Sequence, residues 1–313
     1  MPWLLALLLS LLVCGCRGKG KLQPGSGGRP YELLVTGRDA EAVDVVAHEL
    51  KMLTEGGLPQ PEASFDVSAI GGKDLGQATR YARNIVLVST DVDSLKQPCI
   101  TYERDAYAQP QLIIHVRAAS ASQLRDFIKY NVRAIGQQFI LQELNNGIQL
   151  LREHHSKRAE QMAKAMYGMR LWIPEDLTRW KRGKDFVWFS NDALKGMQNI
   201  CIYRCPGSDL STAAMLHRRD SVMRENLPGE EPSMYMTTCS RGISVQQVEK
   251  GRMEMRGLWE MQGDAMGGPF VSHSLACGDS ILTVEAFVYA PGMKKRNLLR
   301  RLEASLYTVK ATD

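Results

Sequence analysis

The sequence lacks the short motifs by which most catalytic and cofactor sites are recognised. It contains no GxSxG nucleophile elbow, no HExxH zinc motif and no GxGxxG dinucleotide fingerprint. The segment Gly71-Gly72-Lys73 is not part of a phosphate loop, because the first glycine of GxxxxGK and the hydroxyl residue after the lysine are missing. The seven cysteines include no CxxC pair. We therefore predict no metal site and no cofactor.

An excess of one charge is also missing from most of the chain. The formal net charge is +5, but residues 17–30 carry +4 of it and contain no acidic residue. Proteins that bind nucleic acid usually show a basic face, so we predict no nucleic-acid partner. Only KKRNLLRR, residues 294–301, approaches such a face. Its leucines predict an amphipathic helix whose basic side is solvated.

Charge is absent altogether from the first 16 residues, MPWLLALLLSLLVCGC. This apolar run is shorter than the roughly 20 residues that a membrane span needs, and it fits a secretory signal. It ends in Cys14-Gly15-Cys16, which resembles a bacterial lipobox. We predict that residues 1–16 are a lipoprotein signal peptide and that Cys16 carries the lipid, including palmitate. The alternative is an apolar helix that is not removed.

Residues 17–30 have the composition of a flexible basic tether. They contain five glycines and two prolines, which keep a chain from packing into a regular element. Each of their cations would favour an anionic lipid surface by about 1 kcal/mol near a membrane.

The remaining pattern predicts an α+β fold with mostly antiparallel strands. Two halves of similar size, residues 31–168 and 169–313, each read as several strands and then a helix. A long helix links the halves, since apolar residues recur at helical spacing from Ser122 until Gly168. Asn145-Asn146-Gly147 could interrupt it, and a duplication of the two halves stays open.

The stretch GLWEMQGDAMGGPFVSH, residues 257–273, holds the candidate chemistry. In one interpretation Glu260 or Asp264 is an acid or base and His273 is its partner, as in hydrolysis of a glycan or peptide bond. In the other, favoured interpretation the stretch is two strands joined by a tight turn, because glycine, proline and aspartate are the usual turn residues.

A third interpretation makes the same stretch a recognition loop. Its members would be Trp259, Gly267, Gly268 and Pro269, since an amphipathic tryptophan beside polar groups suits a binding surface. Elsewhere, His217-Arg218-Arg219-Asp220 lies on a predicted helix, and we expect an exposed polar face there rather than an anion site.

Seven segments together resemble one known family. They are GRPYELLV, GLPQPE, DAYAQPQL, WIPEDL, RRDSVMRENLPGE, RGLWEMQGDAMGGPFVSH and KRNLLRRLEASLYT. The chain resembles the envelope lipoproteins of Bacteroidota known as domain of unknown function 4837, over almost its whole length. The resemblance implies a single family-wide unit, a bacterial source and an envelope location. It implies no activity, and no catalytic residue is carried over.

These observations lead to an expectation of function. We expect a non-catalytic binding or scaffolding protein, anchored by its N-terminal lipid and facing the periplasm from the outer membrane, because no acidic run follows Cys16. Its partner would be another envelope protein or a glycan. The alternative is a periplasmic hydrolase that uses Glu260, Asp264 and His273.

Overall fold

The computed structural model describes residues 23–90 and 95–311 and is an α+β fold, as predicted. The predicted signal peptide, Cys16 and residues 17–22 of the predicted tether lie outside the described residues. A five-stranded sheet forms the N-terminal half and an eight-stranded sheet forms the C-terminal half. Most strand pairs are antiparallel, which the sequence also predicted.

The N-terminal half is built on a mixed sheet with the strand order β4-β1-β5-β7-β6. Its elements are β1 (Glu32–Gly37), α1 (Ala40–Lys51), β2 (Thr54–Glu55), β3 (Glu62–Ala63), β4 (Asp66–Gly71), β5 (Asn84–Ser89), β6 (Cys99–Arg104), β7 (Leu112–Arg117) and α2 (Ala121–Glu153). Strands β1, β4, β5 and β7 are parallel, and only β6 runs the other way. Alternate apolar side chains of β1, β5 and β7 form one core with α1 and α2.

Residues 23–30 of the predicted tether are hydrogen-bonded to this half. The Gly27 amide donates to the Tyr81 carbonyl at 2.8 Å, and the Arg83 amide donates to the Gly27 carbonyl at 2.9 Å. The Gln109 amide donates to the Pro24 carbonyl at 2.9 Å. The folded part of the chain therefore begins earlier than the composition indicated, because backbone pairing needs no particular side chains.

The long helix that the periodicity predicted is two helices. α2 ends at Glu153, and α3 (Lys157–Tyr167) follows a break at residues 154–156 rather than at Asn145-Asn146-Gly147. The Ser156 side chain accepts from the Ala159 amide and caps α3. α3 supplies Ala159, Ala163 and Tyr167 to the core of the C-terminal half. The two cores therefore divide the chain at this break and not at Gly168.

The C-terminal half is an antiparallel sheet with helices on both faces. Its further elements are β8 (Met169–Arg170), β9 (Arg179–Gly183), β10 (Phe186–Ser190), β11 (Met197–Pro206), α4 (Thr212–Asn226), β12 (Tyr235–Thr238), β13 (Ser244–Glu249), β14 (Arg252–Gln262), β15 (Gly267–Cys277), β16 (Ser280–Tyr289), α5 (Arg296–Leu306) and β17 (Lys310–Ala311). The strand order is β12-β14-β15-β16-β11-β10-β9, and β13 also pairs with β14. α3 and α5 cover one face, and α4 covers the other.

The basic side of α5 is solvated only in part, since Lys294 and Arg301 are exposed but two other cations are buried, contrary to the sequence-based expectation. Arg296 and Arg300 are only 3% and 4% exposed. Arg296 pairs with Asp66 at 2.7 Å, and the Arg300 guanidinium lies 4.3 Å from the centre of the Tyr31 ring. The Glu62 carboxylate accepts from the amide of Lys295, just before the helix, at 2.7 Å and from that of Arg296 at 3.1 Å. Acidic and aromatic side chains of the N-terminal half thus surround these cations and join the two halves.

Candidate functional site

The stretch from residue 257 to 273 forms a hairpin. It contains the end of β14, a turn and the start of β15, with Glu260 opposite Gly267 and Glu254 opposite His273. The Asp264 carboxylate accepts from the Ala265 amide at 2.6 Å inside the turn. Gly263 has a φ of 82°, a left-handed conformation that favours glycine.

The three candidate catalytic groups do not come together. Glu260 and Asp264 are exposed at the tip of the hairpin, and Glu260 accepts from the Gln262 side chain at 3.2 Å. His273 is fully buried, six strand residues away from the level of Glu260. That separation is about 20 Å along the strand. A shared acid–base site would need contact distances, so the geometry argues against the hydrolase.

The proposed recognition loop is part of the core. Trp259 is 3% exposed, and its indole N–H donates to the Val288 carbonyl at 3.2 Å. A Cβ atom on Gly268 would lie 2.0 Å from that carbonyl oxygen and 3.1 Å from the indole nitrogen. Gly268 is therefore required for close packing of β15 against β16, and Pro269 beside it is buried.

We expect Gly268→Ala to lower the free energy of unfolding by about 1–3 kcal/mol, the usual range for overpacking. The new methyl group must displace backbone on β16, which cannot move as a flexible side chain can. Urea denaturation followed by circular dichroism measures the change. Gly56→Ala is the matched control, because no atom lies within 4 Å of its Cβ position. Equal stability of the two variants would contradict this assignment.

A buried polar centre surrounds His273 instead. We use this name for Glu254, Arg256, His273 and Glu303, which lie between β14, β15 and α5. His273 Nε2 is 3.2 Å from Glu254 Oε2, and Arg256 Nε donates to Glu254 Oε1 at 2.8 Å. Arg256 also bonds Glu303. The sequence analysis missed Glu254, Arg256 and Glu303, although polar residues alternate with methionines along β14.

The charged groups of the polar centre are paired, because Arg256 bonds both Glu254 and Glu303. Burial opposes ionisation of Glu254, but hydrogen bonds from His273 and Arg256 outweigh it and lower the pKa of Glu254 to about 2. Desolvation opposes the charge of Arg256 too, yet Glu303 and Glu254 raise its pKa. A carboxylate with so low a pKa is a poor proton acceptor at neutral pH. The polar centre is suited to holding α5 on the sheet.

A second buried ion pair lies on the opposite face of the sheet. Arg219 of α4 and Glu285 of β16 are both fully buried, and Arg219 Nη2 is 2.8 Å from Glu285 Oε1. The guanidinium also lies 3.9 Å from the centre of the Phe270 ring. The expected exposed polar face of His217-Arg218-Arg219-Asp220 is therefore wrong for Arg219, which points into the core between α4 and the sheet.

An open groove of about 590 Å³ lies in the N-terminal half, beside the starts of β1, β4 and β5. Its polar lining includes Arg29, Glu32, Asp66, Arg83 and Asn84. Arg29 pairs with Glu32 at 2.5 Å, and Asp66 pairs with a cation of α5. We call this cavity the groove. Its size falls within the range of ligand sites.

Asn84, which lines the groove, has one buried polar atom without a hydrogen-bond partner. Asn84 is 1% exposed, and its amide N–H₂ donates to Glu143 Oε1 at 2.7 Å and to the Glu32 carbonyl at 3.1 Å. Its Oδ1 atom has no hydrogen-bond partner. Arg83 is held at 2.7 Å by the same Glu143. Since each cation of the groove is paired with an acid, the groove suits a polar ligand of little net charge.

Two classes of site are not found in residues 23–90 and 95–311. No group of three or more His, Cys, Asp or Glu side chains there is placed to hold a metal ion. None of the helices formed by these residues is long and apolar enough to cross a membrane.

The fold and the site define a two-part α+β protein with an open groove and a buried polar centre. Residues 156–308 match the family described as Domain of unknown function (DUF4837), which confirms the resemblance for the C-terminal half. Residues 26–152 match another family, described as Domain of unknown function (DUF8532). Two family models, rather than the expected single unit, thus cover the chain, and they meet at the break between α2 and α3.

Comparisons with curated proteins and with solved structures give no match or only weak ones. No curated protein matches the chain. Similar solved structures include one from Bacteroides thetaiotaomicron VPI-5482, with 17% identity and a TM-score of 0.27, covering 47% of this chain and 46% of that one. The chain thus spans about half the length of that protein. The human StarD13 (DLC2) lipid transfer and protein localization domain has 8% identity and a TM-score of 0.23, covering 48% of this chain and 95% of that one. Neither likeness is strong enough to indicate a function.

Proposed function

We propose that the chain is a lipid-anchored envelope protein that binds another envelope component and is not a hydrolase. The anchor would be a lipid on Cys16, and the protein would face the periplasm from the outer membrane. The lipobox-like ending of the apolar run supports the anchor. Gln23, seven residues after Cys16, already bonds the folded body, since its side-chain amide donates to the Asp105 carbonyl at 2.5 Å.

One observation carries the binding role. The buried acids of the C-terminal half are held in ion pairs, Glu285 with Arg219 and Glu254 and Glu303 with Arg256, whereas the groove of the N-terminal half is open. An enzyme needs free acid and base groups that converge in a cleft. A binding protein needs an accessible concave surface with a few polar groups, which is what the groove provides.

The anchor is tested by metabolic labelling with an alkyne fatty acid in a bacterial host that processes lipoproteins. We expect the wild-type chain to take up the label and Cys16→Ser to lose it completely. Cys14→Ser is the matched control, because Cys14 lies two residues earlier and would leave with the signal peptide. Label retained by Cys16→Ser, or lost equally by both variants, would refute lipidation at Cys16.

The binding role is tested by photo-crosslinking in the intact envelope. A benzoylphenylalanine replaces Ser68, which lines the groove and is exposed. A second chain carries the same residue in place of Tyr130, which is 88% exposed on α2. We expect a discrete adduct from position 68 and none from position 130. The same adducts from both positions, or none from either, would count against binding at the groove.

A further inference from the structure

The exposed edges of the two large sheets are protected, with one exception. An edge strand offers unpaired backbone groups to any other strand, and proteins usually block it with charges, bulges, short length or a covering element. β9 carries three cations, Arg179, Lys181 and Arg182, and β6 ends in the charged residues Glu103 and Arg104. β13 has a bulge at Gln247–Glu249. β12 is only four residues long, and the amide of its Thr238 donates to Asp220 of α4.

The exposed part of β4 has none of these protective features. Its sequence is DVSAIG, and its only charged residue, Asp66, is at its start and is paired with Arg296. The last four residues, Ser68 to Gly71, are exposed, and Ile70 is 37% exposed. On its inner side β4 pairs with β1 over six residues, without a bulge. Among the described strands, none pairs with its outer side.

The register shows which backbone groups are available. The Asp66 amide donates to the Tyr31 carbonyl at 3.0 Å, so Asp66 directs its backbone groups towards β1. Backbone groups alternate in direction along a strand. Val67, Ala69 and Gly71 therefore direct their N–H and C=O groups outwards, where they form a ladder for one more strand.

We propose that β4 binds an extended segment of a partner polypeptide as an added strand. This inference rests on the proposed binding role and names its partner class. β4 forms part of the groove through Asp66, Val67 and Ser68, so the groove would receive side chains from the half of the added segment that lies beside these residues. The balanced charges of the groove and the apolar Ile70 favour a segment of small and apolar residues with little net charge.

The test uses the full chain with Cys16→Ser, a displayed library of random heptapeptides, and two variants of one residue. Ala69→Pro removes an outward N–H and leaves the β1 side intact, which edge strands tolerate. Ala69→Ser keeps the N–H and is the matched control. We expect enriched extended peptides to bind Ala69→Pro at least tenfold more weakly and Ala69→Ser within twofold. Amide hydrogen exchange of the Ala69-containing chain should slow at Val67, Ala69 and Gly71 when peptide binds.

Three results of the peptide test would overturn the inference. They are a failure to enrich any peptide, peptide binding that Ala69→Pro leaves unchanged, and outward amides that stay unprotected when peptide is bound. Self-association that Ala69→Pro abolishes would also overturn it, because the added strand would then come from a second copy. If no peptide binds but the crosslinked adduct at position 68 forms, the inference about the β4 edge is wrong and the proposed binding role stands. If no peptide binds and no adduct forms at position 68, the proposed binding role is wrong as well.

Discussion

Arg219→Met should lower the free energy of unfolding by about 3–5 kcal/mol, the loss expected when one partner of a buried ion pair is removed. Glu285 would be left fully buried without its cation, and it must then remain charged at a high cost or take up a proton. Loss of the contact with Phe270 adds to the effect. Urea denaturation at pH 7 measures the change.

Two further variants separate the ion pair from simple packing. Arg218→Met is the matched control, because the neighbouring Arg218 bonds the Asp209 carbonyl at an exposed position, and we expect less than about 1 kcal/mol. The double variant Arg219→Met, Glu285→Leu should recover most of the loss, since no buried charge is then left unpaired. Equal effects of the two arginine variants would show that the pair does not hold α4 on the sheet.

Glu254→Gln should remove a large part of the acid sensitivity of the fold. The folded pKa of Glu254 is about 2, below its ordinary value of 4.5. A lowered pKa stabilises the folded state above pH 4.5, and this contribution is lost as the pH falls from about 5 to about 2. The difference corresponds to about 3 kcal/mol. The side chain is 2% exposed, so solvent screens it little.

The measurement is the free energy of unfolding of both proteins at several pH values between 7 and 2. We expect the wild-type curve to fall by about 3 kcal/mol more than the Glu254→Gln curve over that range. Glu249→Gln is the control on the neighbouring strand, because Glu249 is 61% exposed and should leave the wild-type curve unchanged. Parallel curves for wild type and Glu254→Gln would mean that the polar centre does not stabilise the fold through its charge.

Much of the C-terminal half could be predicted from the sequence because local patterns determine it. Methionines alternate with polar residues along β14, and the structure places Met253, Met255 and Trp259 on the face that α4 covers. Glycine, proline and aspartate marked the turn after Gln262. Once a turn is centred between Gly263 and Asp264, the antiparallel register puts Glu254 opposite His273. This register could have been predicted from the sequence, and it would have identified the polar centre.

The remaining features depend on contacts between distant segments. Nothing near Arg219 shows that its partner lies 66 residues later, although an acid inside the apolar run SILTVEAFVYA is a signal of a buried ion pair. The sequence alone predicts that the basic side of α5 is solvated. Its buried cations can be identified only when the fold places the acids of β3 and β4 beside them. β6 and β9 are hard to predict from the sequence because these edge strands are partly polar and lack an apolar run. The groove exists only after β1, β4 and residues 27–29 come together.

We propose that recognition occurs at the groove and β4, while the polar centre is structural. The most direct test places the benzoylphenylalanine at position 68 in three chains: the otherwise unchanged chain, Glu254→Gln and Ala69→Pro. Each is crosslinked in the intact envelope at equal protein level. We predict the same adduct from the unchanged chain and from Glu254→Gln, and a loss of at least tenfold with Ala69→Pro. An adduct that survives Ala69→Pro but is lost with a folded Glu254→Gln would contradict the account.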